Sequence, residues 1–432
     1  MKDIIQHTVL SNGLTMYLRR TDLTPNLVYL VLSVKVGSFD DGAKKGIAHL
    51  LEHCNMGFEK YRKPLPILHY RARAYTDYYS TNYIFTCGKG EVGTVFSLMQ
   101  ELILGKFKKP EEFEEIKRDV LAEYQKKQGD EDYRSLVRFF GGTAYALMLP
   151  VGEPEVVRCL SFREVEEFFS RWYVPGRMAV MAVGDLPEGV EEKIGKLRFP
   201  DAGDKEPYCS VTRGLFEDKG GFNDDFFIKN IKIIHCFYPL PQWETKQKEK
   251  FLKQNFLYDF CSDVIAKALD GSRKYGLDKK GCQRSFFAPK RELMFFSIAG
   301  MGSLPDEKRW RAQELREEIL SIVSGWLDKN FEGILEEYRE AFRQPEDYIS
   351  VKLMFQQCIE HYVYERPFTD YGNENRILSG SLEEIEKSVV AGLFRKIIKD
   401  CAIVGGGAGD KLNLYHYMPR VRRNERKYDK RR

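Results

Sequence analysis

Through roughly the first half of the chain, short apolar runs of strand length alternate with longer stretches in which apolar residues recur every three or four positions. His7-Thr8-Val9-Leu10 and Leu14-Thr15-Met16-Tyr17-Leu18 flank Asn12-Gly13, a pair that readily takes the left-handed conformations of a tight turn, so two joined strands are predicted. Leu27-Val28-Tyr29-Leu30-Val31-Leu32-Ser33-Val34 is almost continuously apolar, the pattern of a strand covered on both faces. A helix is predicted from about Lys45, a strand at Tyr83-Ile84-Phe85-Thr86-Cys87, and helices over 91–104 and 110–127. Pro110 suits the first turn of the last of these, with Glu111 and Glu112 near its positive end. A helix over 162–173 and the strand Met178-Ala179-Val180-Met181-Ala182-Val183 complete this half, which ends at Gly184-Asp185.

Pro, Gly and Asp cluster between about 199 and 223, which reads as a linker. Beyond it the plan repeats. A strand is predicted at 231–237, long helices over 248–267, 307–330 and 382–399, and a closing strand, Cys401-Ala402-Ile403-Val404, that stops at Gly405-Gly406. The matching glycine stops argue for duplicated halves. The expected organisation is α+β: two similar domains of about 200 residues, each a mainly antiparallel sheet packed on helices. The boundaries read as 1–200, a linker at 201–223, a second domain at 224–418 and a basic tail at 419–432.

The predicted helix near Lys45 carries His49-Leu50-Leu51-Glu52-His53. Residues three and four apart share a helix face, so two imidazoles and a carboxylate can converge on one site. Two neutral imidazoles are half of a zinc site, and the carboxylate beside them can act as a general base. The bland alternative is a chance cluster on an amphipathic helix. Two histidines leave such a site short of a ligand. Phe113, Ile116 and Val120 step along one face of the 110–127 helix, and the next position in the series is Glu123. A carboxylate on an inward face is costly unless it is paired or bound to metal. The pattern alone leaves Glu123 as a ligand, as a buried partner of Arg or Lys, or as part of a fraying helix end.

Composition adds exclusions. With 43% hydrophobic and 31% charged residues the chain is neither disordered nor membrane-like, and a net charge of +4 gives no reason to expect nucleic-acid binding. The basic run from Arg420 to Arg432 reads as a solvated tail. No apolar run is long enough for a membrane span. Nine dispersed Cys, without a CxxC pair, point to reduced thiols, and Met1-Lys2-Asp3-Ile4-Ile5 runs directly into the first strand without the parts of a secretory signal. Cytoplasmic residence is the resulting expectation.

The ordered set Leu10-Ser11-Asn12-Gly13-Leu14, Gly37-Ser38-Phe39-Asp40, Gly46 through His53, Ala74-Tyr75-Thr76, Thr81-Asn82-Tyr83, Val120-Leu121-Ala122-Glu123 and Val183-Gly184-Asp185 resembles the pitrilysin/insulinase family of zinc peptidases. The likeness is to its shorter two-domain form, similar to bacterial peptidases of the mitochondrial-processing type. The resemblance implies that His49, His53 and Glu123 hold Zn²⁺, that Glu52 is the general base, and that the strand at Ala74, Tyr75 and Thr76 pairs with a peptide substrate. It also shows departures. The interval from His53 to Glu123 is shorter than usual, around Lys63-Pro64-Leu65-Pro66, and Arg73 stands where the family has Asn. The family's second glutamate falls at Ile116, which leaves Glu115 or Asp119 as the outer carboxylate. In the second half Ser272 and Lys279 occupy the positions of the expected oxyanion-holding Arg and Tyr, with Arg273 one position away. The resemblance therefore implies a zinc endopeptidase that works as a heterodimer with a homologous chain lacking the metal motif, or as a homodimer using Arg273 or another donor. The alternative is a non-catalytic, peptide-binding or structural subunit of the same fold.

Overall fold

The computed structural model describes residues 3–56, 71–105, 110–128, 137, 140, 144–200, 233–244, 246–272, 275–277, 282–300, 312–343, 351–367 and 369–406. The stretch Lys63-Pro64-Leu65-Pro66, the linker at 201–223, Arg273, Lys279 and the basic tail lie outside the described residues. The chain forms two compact units, each a sheet packed on helices, in keeping with the α+β class read from the sequence.

The first unit takes Met1–Lys127, Leu147–Arg213 and Ile349–Asp370. Its strands are β1 (Asp3–Val9), β2 (Thr15–Thr21), β3 (Val28–Val34), β4 (Arg71–Thr76), β5 (Thr81–Cys87) and β6 (Met178–Gly184). They form one sheet in the order β1-β2-β6-β3-β5-β4, antiparallel except for β2 beside β6. The hairpin predicted at Asn12-Gly13 is present: Val9 pairs with Thr15, and Gly13 takes a φ of 89° that its missing side chain permits.

Alternation along the strands divides the sheet into two faces. Leu14, Met16 and Leu18, Leu30, Leu32 and Val34, and Met178, Val180 and Ala182 join one apolar core with residues of helices Ile47–Met56, Val92–Ile103, Phe113–Gln128 and Phe162–Trp172. Ser161 caps the last of these and Glu164 reaches back to the Ser161 amide at 2.8 Å, a capping box. The other face carries Tyr17, Arg19, Tyr29 and Tyr75, and the helix Val351–Tyr364 lies across it, packed on β6, β3 and β2. Tyr29 stacks on Phe355 with ring centroids 4.5 Å apart, Arg19 bonds Gln357, and the Tyr17 hydroxyl meets His361 Nδ1 at 2.6 Å. Eleven of this helix's fourteen residues are buried. It has no broad polar face to give it a helical signature, so the apolar pattern did not single it out.

The second unit takes Gln128–Ala146, Gly214–Tyr348 and Tyr371–Arg432. Its sheet runs β11 (Ala402–Gly406), β7 (Ile233–Pro239), β10 (Arg291–Gly300), β8 (Tyr275–Leu277), with β9 (Gln283–Ala288) also on β10. Helices Lys248–Asp270, Ala312–Arg343, Tyr371–Glu383 and Lys387–Asp400 pack beside it. The helix expected at 307–330 runs on to Arg343, the one expected at 382–399 is Lys387–Asp400, and the helix before it, Tyr371–Glu383, was not expected. Arg284 is buried against Asp259 at 2.7 Å and against Glu292 and Asn255, so its charge is balanced where water cannot reach.

Candidate metal centre

The helix Ile47–Met56 holds His49, Glu52 and His53, and its start is fixed by a residue outside it. Asp41 accepts hydrogen bonds from the amides of Gly46 at 2.6 Å and Ala48 at 3.0 Å, placing a carboxyl at the positive end of the helix. Burial pushes the Asp41 carboxyl well above its ordinary range, against the pull of those two amides. Gly46, at φ +98°, lies so close to Gly152 that a Cβ there would come within 2.9 Å of the Gly152 Cα. The result is a helix whose inward face is rigidly placed, with His49 and Glu52 buried and His53 partly open.

Glu123 arrives from the helix Phe113–Gln128, one step beyond the buried Phe113, Ile116 and Val120. It is less buried than that stripe, with 35% of its side chain exposed. Its Oε2 lies 3.5 Å from His49 Nε2 and 3.4 Å from His53 Nε2, and the two imidazole nitrogens are 3.2 Å apart. Lys127 takes the other oxygen at 2.7 Å, which aims Oε2 at the histidines. Ligands held about 2.0–2.1 Å from a tetrahedral zinc lie about 3.3–3.4 Å from one another. The observed triangle has the edges of one face of such a tetrahedron. Among the described residues this is the one group of three metal-competent side chains so gathered, and His49 Nδ1 is buried without a partner. The donor set fits a zinc-like ion.

Electrostatics favour the same use at two of the three donors. Burial lowers the His49 pKa, which keeps its imidazole neutral and its lone pair free. Burial also pulls on His53, but Glu123, Glu52 and Asp119 outweigh it and raise its pKa. Burial would raise Glu123, yet its bonds to His49 and His53 and the charge of Lys127 hold it well below the usual carboxylate range. Glu123 is thus held ionised and His49 neutral, both ready for an ion, whereas the same carboxylates favour a proton on His53 that a bound cation would have to displace.

Glu52 stands beside the triangle and outside it. Its Oε2 accepts the Thr76 hydroxyl at 3.0 Å, so the last residue of β4 fixes the carboxylate. The turn after Thr76 is itself anchored. Asp77 accepts from the Tyr79 and Ser80 amides at 2.7 Å each, from Ser80 Oγ at 2.9 Å, and from the Tyr364 hydroxyl at 2.8 Å. Gly37 passes so close that a Cβ would sit 2.4 Å from the Asp77 carbonyl, while Ser38 and Phe39 donate to the carbonyls of Asp77 and Tyr78.

The structure therefore brings His49, His53, Glu123, Glu52 and Thr76 together. Ala74 and Tyr75 lie on β4, the edge strand of the sheet. Asp119 and Glu115 are both exposed, but Asp119 is one turn from Glu123 and its charge is felt by His53, whereas Glu115 is not among the groups acting on the histidines. Tyr78 and Tyr79 are buried around Phe39, and Tyr83 bonds Asn55 and Tyr173, so three of the four tyrosines of this segment serve packing. Asp41, Asp77 and Tyr364 were missed by the sequence reading. The tight spacing of Asp77 and Ser80 around a turn was a legible signal for Asp77. Tyr364 offered none.

Residues 20–139 match the family "Insulinase (Peptidase family M16)". The Haemophilus influenzae protein named "Probable zinc protease PqqL" is 26% identical over 226 residues, covering 48% of this chain and 24% of that protein, so the match spans about a quarter of the relative's length. Among solved structures, the first half of the periplasmic protease PqqL from Escherichia coli superposes with a TM-score of 0.70 at 16% identity, covering 95% of this chain and 92% of that one. A peptidase M16 inactive domain from Pseudomonas fluorescens superposes at 0.66 with 13% identity, over 94% and 99%. At these identities the structural likeness speaks for the fold. Among the described residues no helix is long and apolar enough to cross a membrane. The chain is a homologue of the M16 (insulinase/pitrilysin) peptidases, related to the PqqL-like zinc proteases.

Proposed function

We propose that the chain is a zinc-dependent endopeptidase acting on peptides or unfolded segments, with residues 1–200 supplying its catalytic groups and 224–418, apart from the stretch Ile349–Asp370 that joins the first unit, forming most of a second, family-like domain. The observation that carries this reading is the donor triangle of His49, His53 and Glu123 with Glu52 beside it. His49, His53 and Glu123 would hold the ion. Zinc in such a site supplies an acidified water and polarises a carbonyl. Glu52, held by Thr76, takes the proton from the attacking water and returns it to the leaving amine. The edge strand β4, at Ala74, Tyr75 and Thr76, offers main-chain groups with which an extended peptide can pair.

The oxyanion donor is the incomplete part of this reading, since Ser272 stands where an Arg is expected. We assign that role to a partner: a homologous chain without the metal motif in a clamshell heterodimer, or a second copy contributing Arg273. All eight described cysteines are free thiols, which supports a reducing, cytoplasmic compartment, although the Escherichia coli neighbour is a periplasmic protease. Fractionation decides between the two compartments. A second reading is a non-catalytic subunit of the same fold, favoured by the neighbour described as an inactive domain.

The test is cleavage of a mixed quenched-fluorescent peptide library by the purified chain, with and without a zinc chelator. Chelator-sensitive cleavage supports a self-sufficient metallopeptidase and removes the main reason for a partner. A folded, zinc-loaded chain that cleaves nothing, alone or with added homologous subunits, overturns the catalytic reading.

A further inference from the structure

The metal motif and the edge strand β4 leave one feature without a role. Arg71 and Arg73 are both exposed and, two residues apart, project from the same face of β4. That face is the one opposite the metal motif, because Ala72 and Ala74 pack on the helical core and Thr76 reaches Glu52. Their cross-strand neighbours on β5 are Thr86 and Ile84, neither of which can neutralise a guanidinium. The Arg73 guanidinium lies 5.8 Å from the Phe355 ring, and among the described residues neither arginine makes an ion pair. Among the described strands β4 pairs only with β5, which makes it the edge that an added strand would join.

We infer that Arg71 and Arg73 select acidic peptides, reading two carboxylate side chains of a substrate laid along β4. The inference rests on the peptidase reading of the same site and names its substrate class. An added strand alternates its side chains as β4 does, so residues two apart face Arg71 and Arg73 together, and directly opposite charges attract. The geometry also sets where these acids fall. Thr76 marks the catalytic end of β4, since its hydroxyl holds Glu52. At about 3.3 Å per residue, Arg73 and Arg71 lie roughly 10 and 17 Å back from it. The preferred acids therefore lie about three and five residues from the scissile bond, both on one side of it.

The experiment uses the full chain and quenched-fluorescent peptides carrying Asp, Asn or Lys at each position flanking the cleaved bond. Acid at two positions two apart, on one side only, should raise kcat/KM over the Lys peptides by roughly 3- to 10-fold. The preference should shrink when salt is raised to about 0.5 M. The double variant Arg71→Glu with Arg73→Glu should reverse the order of Asp and Lys peptides. A second arm measures binding of the same peptides, by fluorescence anisotropy, to the Glu52→Gln chain. If wild type cleaves nothing while Glu52→Gln still binds acidic peptides over basic ones, the catalytic reading fails and the inference stands. If the Asp-to-Lys ratio is the same in wild type and the charge-reversed variant, in both arms, the inference is overturned, and the arginines merely guard an open sheet edge against aggregation.

Discussion

Replacing Tyr364 by Phe removes one oxygen atom far along the chain from the metal motif, and its effect should be felt at the candidate centre. The Tyr364 hydroxyl donates to Asp77 Oδ2 at 2.8 Å, and both residues are buried, at 1% and 3% exposure. A hydrogen bond to a charged group contributes about 1.5–3 kcal/mol, and Asp77 retains three other donors, so the loss should fall near the lower part of that range, about 2 kcal/mol. For a unit of this size each kcal/mol moves the melting temperature by about 2–4 °C, which predicts a drop of about 4–8 °C in zinc-loaded protein. Burial already raises the Asp77 pKa, with Tyr364 among the groups that oppose the rise. The cost of the substitution should therefore shrink in acid, where Asp77 is protonated and the bond lost is a neutral one. The same turn carries Thr76, so the placement of Glu52 should loosen and kcat should fall with KM little changed. Thermal unfolding followed by circular dichroism, with peptide kinetics on the same preparations, reads all three effects. A melting temperature within 1 °C of wild type, by the scale just used, together with unchanged kcat, would refute the reasoning.

Three further outcomes follow from the geometry. Glu52→Gln should cut kcat by about 10²–10⁴-fold while zinc content, measured by atomic absorption, stays at the wild-type level, because Glu52 lies outside the donor triangle. Zinc at about one hundred times its Kd should stabilise the wild type by about 2.7 kcal/mol, and titration calorimetry and melts should show neither binding nor protection in His49→Ala. Asp40 should make the metal-free protein less stable as pH rises. Burial lifts its pKa from 3.8 to about 6, against the Gly37 amide and Arg177, so the folded state holds this proton more tightly than the unfolded chain. Its contribution is fully present below about pH 4 and is lost by about pH 6, a change of up to about 3 kcal/mol. Urea midpoints measured across that window for chelated wild type and Asp40→Asn should converge at the acid end and separate at the neutral end. Parallel curves would sink this account.

Much of the candidate centre was legible because its key relations are local. The i, i+3, i+4 spacing of His49, Glu52 and His53 fixes a shared helix face whatever the rest of the chain does. Glu123 was visible as a carboxylate where an apolar series led to expect a core residue, though the series could not say whether metal, cation or water would meet it. The supports of the centre were less legible. Asp41 reaches only five and seven residues forward, but an aspartate in a glycine-rich loop looks the same whether it caps a helix or faces solvent. The Thr76 bond to Glu52 spans a stretch whose path no local pattern specifies.

By itself, the sequence determined the strand alternation, the Asn12-Gly13 hairpin, the motif helix and the α+β class, since each follows from side-chain periods of two or 3.6 and from turn chemistry acting over a few residues. Only the tertiary structure decided what covers the second face of the first sheet. Val351–Tyr364 fills that place, 287 residues beyond Asp77 at the Tyr364 contact. An almost wholly buried helix announces that it must be covered, but the effect that buries it is non-directional, and any apolar surface of matching shape would serve. The choice among such surfaces is made by complementarity across the whole chain, here by Tyr29 against Phe355, Arg19 against Gln357 and Tyr364 against Asp77.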